Sequence, residues 1–417
     1  MTTCGRDVSA AITGWAWRTP LGIRVGEVTT RLLAGERAAR DNPWASAGSY
    51  ACTLAAPILG EPRTPRHRRF LRRLGLFAVD AAMEALAHSG VQGTDRLGLF
   101  SGVGGLRVPW NELMPALADQ RPDGAQAWDR GLKLLHPFFM LQHLSNNAHA
   151  LIAADAGARG EGVTFGGANA GAQALCAAVR AIEAGTVDAA LVVAYDSLIE
   201  PETVVEFAER GAAARVGLPL LASPYDRRSD GIVPGEAAAA LVLEPGDRAG
   251  SRALAYVDAA EAADGTAGAP RAETIAHAVL RVARGRAEGS VNPHGERSSQ
   301  ARIDPRLEMV IDGAAQARPE LDLAEREALA AIFDEGAALL AIASATGCLG
   351  AATALVQAIS LTSALHAGRL PPIAGLRDPA PGPLSLVTRG QSTRARAAIG
   401  LGTGAPGLCS AVRVELP

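Results

Sequence analysis

The sequence has few aromatic residues and no surplus of positive charge. Phe, Trp and Tyr together make up 4% of its 417 residues, and the formal net charge at pH 7 is −3. Binding of DNA or RNA usually depends on a basic surface and on aromatic side chains that stack on bases. The composition therefore argues against a nucleic-acid partner.

Cysteine is scarce, and its spacing is irregular. The five cysteines are Cys4, Cys52, Cys176, Cys348 and Cys409, an odd number that contains no Cys-x-x-Cys pair. Neither a disulfide framework nor a zinc site has this pattern. We therefore expect a protein of the reducing cytoplasm, with no metal and no other cofactor.

The sequence also lacks a membrane signal. Met1-Thr-Thr-Cys-Gly-Arg-Asp7 is not the basic start and apolar core of a signal peptide. The uncharged stretch from Ala337 to Leu365 is longer than the ~20 apolar residues that span a bilayer. Gly, Ser, Thr and Gln residues divide it into a loop and a helix, so we expect a buried core helix and no membrane association.

Hydrophobic residues make up 48% of the chain, which is enough for a large core. A small-residue helix from Gly171 to Gly185 is followed by the apolar strand Ala189–Ala194, and the stretch from Gly350 to Gly368 repeats the helix. The strand Ala238–Glu244 has a counterpart in Ser410–Leu416. Alternating helices and continuous apolar strands predict an α/β fold of buried sheets covered by helices.

This repetition predicts two pseudo-symmetric halves, residues 1–248 and residues 249–417. The segment Glu244-Pro-Gly-Asp-Arg-Ala-Gly-Ser251 is polar and rich in glycine, which is typical of a connection between structural units. We expect the chain to cross from one half to the other there.

The run Val163-Thr-Phe-Gly-Gly-Ala168-Asn-Ala-Gly-Ala-Gln-Ala-Leu175 predicts a strand that turns sharply through small residues into a helix. Such an elbow holds one side chain at a helix N-terminus, where free N–H groups lower a thiol's pKa and receive an oxyanion. The residue in that place is Ala168, which cannot attack a thioester.

This elbow resembles that of the β-ketoacyl synthases of the thiolase superfamily, which reads roughly Thr-Ala-Cys-Ala-Ser-Gly. Ser223-Pro-Tyr-Asp-Arg-Arg-Ser-Asp-Gly-Ile-Val-Pro-Gly-Glu236, followed by Leu241–Glu244, is similar to the family's Pro-Phe-Asp…Asp-Gly-Phe-Val…Gly-Glu segment. Asp322-Leu-Ala-Glu-Arg-Glu-Ala-Leu329 resembles the segment that follows the family's His-Gly-Thr-Gly-Thr motif. The resemblance implies the thiolase fold, a five-layered αβαβα arrangement.

The resemblance also identifies further positions where catalytic side chains are missing. Counting back from Asp322 puts Ala314 where the family has its first catalytic histidine. An ungapped alignment of the stretch after Thr346 puts Cys348 at the second histidine and Ala343 at the nearby lysine. A ketosynthase needs a thiolate and two imidazoles for its chemistry, so no catalytic residue is expected to be intact.

A ketosynthase-like chain without its catalytic residues resembles the chain length factors, the inactive partners of type II polyketide ketosynthases. Asp312-Gly-Ala-Ala-Gln-Ala-Arg-Pro-Glu-Leu-Asp322 is similar to their replacement of the His-Gly-Thr motif. The resemblance implies a heterodimer with an active ketosynthase, contact with an acyl carrier protein through that complex, and control of chain length for an aromatic or polyene product. Two alternatives stay open: a thiolase-fold acyltransferase with chemistry that does not use cysteine, and a purely structural subunit.

Three further segments are candidates for roles in such a complex. Ile399-Gly-Leu-Gly-Thr-Gly404 resembles the family's gating loop, so Gly400, Leu401, Gly402 and Gly404 either gate the channel or close an empty pocket. The segment from His136 to His149 predicts a helix along the subunit interface, where Phe138, Phe139 and Met140 either bound the acyl channel or belong to the core. Val163 and Phe165 are expected on the interface strand.

Arginine is concentrated between Arg63 and Arg73. We expect a solvated surface loop that leads into a helix, with a docking patch for an acidic carrier protein as the alternative. The polar stretch from Arg284 to Arg302 is expected to be a loop.

Overall fold

The structure is a computed structural model of the whole chain. It describes residues 9–42, 54–105, 109–117, 131–214, 223–283, 308–333, 337–404 and 406–417. The expected loop from Arg284 to Arg302 lies outside these residues.

The described residues form helices and strands that alternate along most of the chain. The α-helices are α1 (Val25–Leu33), α2 (Arg73–Ser89), α3 (Trp110–Leu117), α4 (Phe139–His143), α5 (Asn147–Ala156), α6 (Ala170–Glu183), α7 (Pro201–Glu209), α8 (Gly246–Ala249), α9 (Ala272–Ala283), α10 (Pro319–Ala330), α11 (Ala343–Thr346) and α12 (Thr353–Ala367). Short 3₁₀ helices cover Pro65–His67, Leu132–Leu134, Gly250–Arg252 and Gly350–Ala352. The strands are β1 (Ala10–Arg18), β2 (Arg40–Asp41), β3 (Leu54–Ala55), β4 (Leu97–Val103), β5 (Gly162–Gly166), β6 (Ala189–Ser197), β7 (Glu236–Pro245), β8 (Ala255–Ala263), β9 (Met309–Asp312), β10 (Ala338–Leu340), β11 (Arg369–Leu370), β12 (Ser385–Leu386), β13 (Gln391–Ser392), β14 (Ala397–Gly404) and β15 (Leu408–Glu415).

Eleven strands form one hydrogen-bonded sheet in the order β12-β10-β9-β14-β15-β8-β1-β7-β6-β4-β5. Its two halves have the same plan. In the first half, β5, β4 and β6 are parallel, and β7 and β1 follow antiparallel. In the second half, β10, β9 and β14 are parallel, and β15 and β8 follow antiparallel. The equal strand order confirms the predicted pseudo-symmetry, while the division at residue 248 stays a prediction.

The two halves are joined by a short antiparallel contact between β1 and β8, where Ala11 pairs with Tyr256 and Ile12 pairs with Ala255. This main-chain pairing at Ala11 and Ile12 joins the strands of the two halves into one hydrogen-bonded sheet.

Helices cover both faces of each half-sheet. Along β6, Leu191 and Val193 face the core under α2, whereas Ala190 and Val192 face the central core that contains α6 and α12. The second half repeats this arrangement, with α12 on one face of β15 and α9 on the other. The order α2, sheet, α6 with α12, sheet, α9 is the predicted five-layered α/β arrangement.

The predicted elements on this framework are largely confirmed. The expected helix from Gly350 to Gly368 is a 3₁₀ turn followed by α12, and most of its side chains are buried. Among the residues that the structure describes, no helix is both long and apolar enough to cross a membrane. The segment after Arg63 is a loop and a 3₁₀ turn that lead into α2, as expected.

The prediction of one helix between His136 and His149 is wrong. The segment forms α4 and α5, and Leu144 between them has the extended angles φ −67° and ψ 126°. The Asn147 side chain donates hydrogen bonds to the Leu141 carbonyl at 2.8 Å and to the Phe70 carbonyl at 2.6 Å. This amide satisfies a carbonyl at the end of α4, so the chain turns there.

Candidate functional site

The predicted elbow between β5 and α6 is present. The strand ends at Gly166, Gly167 has φ +118°, and α6 begins at Ala170. A positive φ of this size is open to glycine and strained for other residues. The turn leaves Ala168 exposed at the point where the strand meets the helix N-terminus.

Small residues let the elbow approach the rest of the core closely. A Cβ on Gly102 of β4 would lie 2.4 Å from the main chain of Ala170, and one on Gly171 would lie 2.1 Å from the Ala351 carbonyl oxygen. A Cβ on Gly404 would lie 3.3 Å from the Ala168 Cβ. The elbow therefore lies against the 3₁₀ turn Gly350–Ala352 and the end of β14, which both belong to the second half.

The loop after β9 has two alanines in the left-handed backbone region. Ala315 and Ala317 have φ +52° and +53°, and they stand at the two glycine positions of the aligned His-Gly-Thr-Gly-Thr motif. Such angles are unfavourable for alanine, so the loop conformation is imposed by its surroundings. The Ala314 N–H donates to Glu325 Oε1 at 2.7 Å, which fixes the loop against α10.

The segment of Ala343 lies beside this loop, and Cys348 follows shortly after it in the chain. The Gly313 N–H donates to the Leu340 carbonyl at 3.0 Å, and Ala343 packs against the same core as Ala314. Cys348 is half-buried, and its N–H donates to the Val233 carbonyl at 2.8 Å. The structure thus places Ala314 and Ala343 against one core. The equivalence of Ala314, Ala343 and Cys348 to the family's catalytic positions stays a prediction.

Buried acidic side chains lie next to the loop of Ala314. The nearby residue 343 is an alanine, so it supplies no positive charge to them. Glu325 and Asp322 are 4% and 2% exposed. Burial raises the pKa of Glu325, and the neighbouring Asp322 carboxyl raises it further; burial also raises the pKa of Asp322. Burial likewise raises the pKa of Asp312, at the end of β9, to about 7.

Cys176 and Cys409, the buried cysteines of the described residues, are not suited to act as nucleophiles. Burial is the largest cause that raises the pKa of Cys176 to about 12 and that of Cys409 to about 12. At neutral pH both are thiols, and the thiolate is the reactive form. Both behave as small apolar side chains of the core.

The predicted gating segment lies in a strand rather than in a loop. Gly400, Leu401, Gly402 and Gly404 belong to β14, where Leu401 pairs with Ala411 of β15. The Leu401 side chain is 0% exposed and packs in the core of the second half. Gly404 lies next to Ala168, since a Cβ on Gly404 would be 3.3 Å from the Ala168 Cβ. A gating role for the segment stays a prediction.

The three candidate channel residues differ in their surroundings. Phe138 is half-buried, with its ring edge-on to Phe70 at 5.3 Å between centroids. Phe139 is buried against His143, at 4.5 Å between ring centroids. Met140 is 69% exposed, which contradicts the expectation that all the apolar residues of this segment pack inward.

Sequence reasoning missed a cavity of about 510 Å³ at the carboxyl ends of β4 and β6. Charged and apolar side chains both line it, among them Arg73, Trp110, His143, Leu144, Glu202 and Glu236. The buried Glu236 carboxylate accepts two hydrogen bonds from Arg73, at 2.7 and 2.9 Å. Clefts at the carboxyl ends of parallel strands are common ligand sites in α/β proteins. The cavity could not be predicted from local sequence patterns, because its lining residues come from segments that are far apart in the chain.

Strand β5 forms one edge of the large sheet. The Leu99 N–H donates to the Glu161 carbonyl at 3.0 Å, and the Gly167 N–H donates to the Val103 carbonyl at 2.9 Å. Because bonding directions alternate along a strand, Val163 and Phe165 bond to β4, whereas the N–H and C=O of Thr164 point to the other side. No strand in the described part of the chain pairs with that side.

Replacement of Ala168 by cysteine tests the missing chemistry directly. We expect Ala168→Cys to react with iodoacetamide, because the position is exposed, yet to form no detectable carbon–carbon bond by itself. General acid–base groups typically contribute 10²–10⁴-fold in rate, and the predicted alignment puts Ala314 and Cys348, which have no imidazole, at the two histidine positions. Efficient condensation by the single variant without a second subunit would show that the alignment is wrong.

The chain is similar in sequence and in fold to known proteins over most of its length. A family model described as "Beta-ketoacyl synthase, N-terminal domain" matches residues 8–249. The oxytetracycline polyketide putative beta-ketoacyl synthase 1 of Streptomyces rimosus is 27% identical over 85% of each chain. The tetracenomycin polyketide synthase ketoacyl synthase beta subunit of Streptomyces glaucescens is 32% identical over 54% of each. The solved ishigamide ketosynthase/chain length factor superposes with a TM-score of 0.82 at 20% identity, over 99% of this chain and 100% of the other.

Proposed function

Because this chain belongs to the β-ketoacyl synthase family, we propose that it is a non-catalytic, chain length factor-like subunit of a type II polyketide synthase. In this proposal it pairs with an active ketosynthase in the cytoplasm, shapes the acyl channel and limits chain length. The observation that carries the proposal is the elbow, whose strand, turn and helix are intact around an exposed alanine. A fold kept without its nucleophile fits a partner subunit better than an enzyme.

The free side of β5 supports the pairing. An unpaired strand edge is a template for another chain, and proteins usually cover such edges. The Thr164 main chain offers a donor and an acceptor there, and the counterpart strand of a ketosynthase would satisfy both. A pseudo-twofold dimer with a continuous sheet would result.

A group of exposed apolar side chains also supports the pairing. Trp110, Met114, Leu134, Met140, Leu141 and Leu144 are between 39% and 69% exposed. Helix α3 contacts the 3₁₀ turn that contains Leu134, and His143 of α4 bonds to Glu112 of α3 at 3.0 Å. Large exposed apolar areas mark protein interfaces. We therefore propose that the ketosynthase contacts this group of side chains as well as the edge of β5, and that an acyl carrier protein binds to the resulting complex.

The alternative of an acyltransferase with chemistry that does not use cysteine has less support. The exposed elbow carries a methyl group, and burial keeps Cys176 and Cys409 protonated. Acylation of the purified single chain by an acyl thioester would favour this alternative.

Product length in a reconstituted pair tests the proposed channel. We expect Met140→Ala to lengthen the product with assembly intact, because overpacking a filled channel typically costs ~1–3 kcal/mol and truncation removes that cost. Phe138→Ala and Phe139→Ala test the neighbouring positions, and Trp110→Ala tests the mouth of the cavity. Liquid chromatography with mass detection measures the products. Unchanged products in all four variants would show that none of these residues limits the chain.

A further inference from the structure

A single carboxylate joins helix α3 to two other segments of the chain. Glu112 Oε2 accepts a hydrogen bond from His143 Nε2 at 3.0 Å, at the end of α4. Glu112 Oε1 lies 3.1 Å from a guanidinium nitrogen of Arg72, which directly precedes α2. The side chains of His143 and Glu112 are 6% and 33% exposed. A carboxylate that bridges two donors, one of them buried, is held more firmly than one in a single surface ion pair.

Apolar packing contributes little to the placement of α3. Trp110, Met114 and Pro115 are exposed, and Leu113 is half-buried. Of the side chains of α3 that the structure describes, only that of Ala116 is buried. Since helices in proteins are stabilised mainly by a buried apolar face, the position of α3 depends on its polar contacts.

The Glu112 bridge lies at the rim of the cavity of about 510 Å³. Arg72 and His143 both line this cavity, and so does Trp110, two residues before Glu112 on α3. Trp110 is 43% exposed, so it lies at the mouth of the cavity rather than inside it. Glu112 and Trp110 are about half a turn apart on one helix, so a shift of Glu112 also moves Trp110.

We propose that Glu112 is a positioning residue, whose bridge to Arg72 and His143 holds Trp110 at the mouth of the cavity. The inference rests on the proposed function, because it assigns the entrance of the acyl channel to this mouth. Glu112 is not among the residues that line the cavity, so it acts through Trp110. The width of the entrance is then set by an ionic contact rather than by close packing.

Quenching of tryptophan fluorescence by acrylamide tests this positioning in the single chain. The difference between the original chain and Trp110→Phe gives the Trp110 signal, and the same difference is measured in the Glu112→Ala background. We expect Glu112→Ala to raise the quenching constant of Trp110 about twofold, because Trp110 is 43% exposed while the bridge holds it. Salt screens partly exposed ion pairs, so about 1 M NaCl should raise quenching in the original chain and have little effect on Glu112→Ala.

Glu84→Ala is the matched control for loss of a carboxylate with one buried partner. Glu84 of α2 bonds to Arg18 at 2.8 Å, their side chains are 46% and 3% exposed, and neither residue lines the cavity. This variant should leave the quenching of Trp110 unchanged. Glu112→Gln, which removes the charge and keeps the shape, replaces Glu112→Ala if the alanine variant does not fold. Unchanged quenching in the Glu112 variants, or an equal rise in Glu84→Ala, would overturn the proposal.

Product length in the reconstituted pair tests the consequence for the channel. We expect Glu112→Ala to lengthen the product as Trp110→Ala does, and the double variant to give the product of Trp110→Ala alone, because residues that act through one another are not additive. Further lengthening by Glu112→Ala in the Trp110→Ala background would overturn the proposal. An unchanged product in Trp110→Ala itself would contradict the channel of the proposed function, whereas the quenching measurement decides separately whether Glu112 positions Trp110.

Discussion

Thr164→Pro is expected to weaken association with the proposed ketosynthase partner roughly 100-fold, because the lost ladder hydrogen bond and the clash of the ring with an opposing strand are together worth about 3 kcal/mol. The Thr164 N–H points away from β4, so proline removes no bond to the neighbouring strand. Proline is tolerated on an edge strand for the same reason.

Thr164→Val is the matched control, since it keeps the main-chain N–H and suits a strand. Analytical ultracentrifugation of the mixed subunits measures the dissociation constant, and circular dichroism checks that both variants fold. Equal affinity of the proline and valine variants would place the partner away from the edge of β5.

The contribution of Asp312 to the free energy of unfolding is expected to fall by roughly 2–4 kcal/mol between pH 5 and pH 8. Burial raises the pKa of Asp312 to about 7 from its ordinary value near 4. The folded chain therefore holds a proton that the unfolded chain has released in this range. The stabilisation is complete below pH 4 and is lost as the pH rises through 7, and the raised pKa values of Asp322 and Glu325 act in the same direction.

Asp312→Asn should flatten much of this dependence, because the amide oxygen can still accept the hydrogen bond from the Ile342 N–H, which is 2.7 Å long. Asp95→Asn is the control, because the Asp95 side chain is 82% exposed. Urea unfolding at a series of pH values gives the free energies. A slope that is the same in the original chain and in Asp312→Asn would assign the pH dependence to other groups.

Much of the fold could be predicted from local sequence. The apolar run Ala189–Ala194 lies within β6, and Gly167 has the positive φ that a strand-to-helix turn requires. The repeated pattern of helices and strands predicted the two pseudo-symmetric halves, because buried strands and small-residue helices can be recognised from short stretches of sequence. The edge contact of Ala11 with Tyr256 that joins the halves has no such signal.

The candidate site could be predicted only in part. The resemblance of Asp322–Leu329 to a family segment identified Ala314, which lies in the loop after β9, and its equivalence to a catalytic position stays a prediction. The cavity at the ends of β4 and β6 could not be predicted, because its walls meet only after distant segments pack together. The break at Leu144 was missed because the Asn147 amide, which bonds to the Leu141 carbonyl at the end of α4, is also held by the Phe70 carbonyl, 77 residues away in the chain.

Native mass spectrometry of this chain co-expressed with its candidate ketosynthase, after exposure to an acyl thioester, tests the central claim most directly. The proposal predicts a 1:1 complex in which the acyl group is on the ketosynthase alone, because the exposed elbow residue of this chain is Ala168. A chain that stays monomeric in the presence of the ketosynthase, or one that carries the acyl group itself, would contradict the proposal.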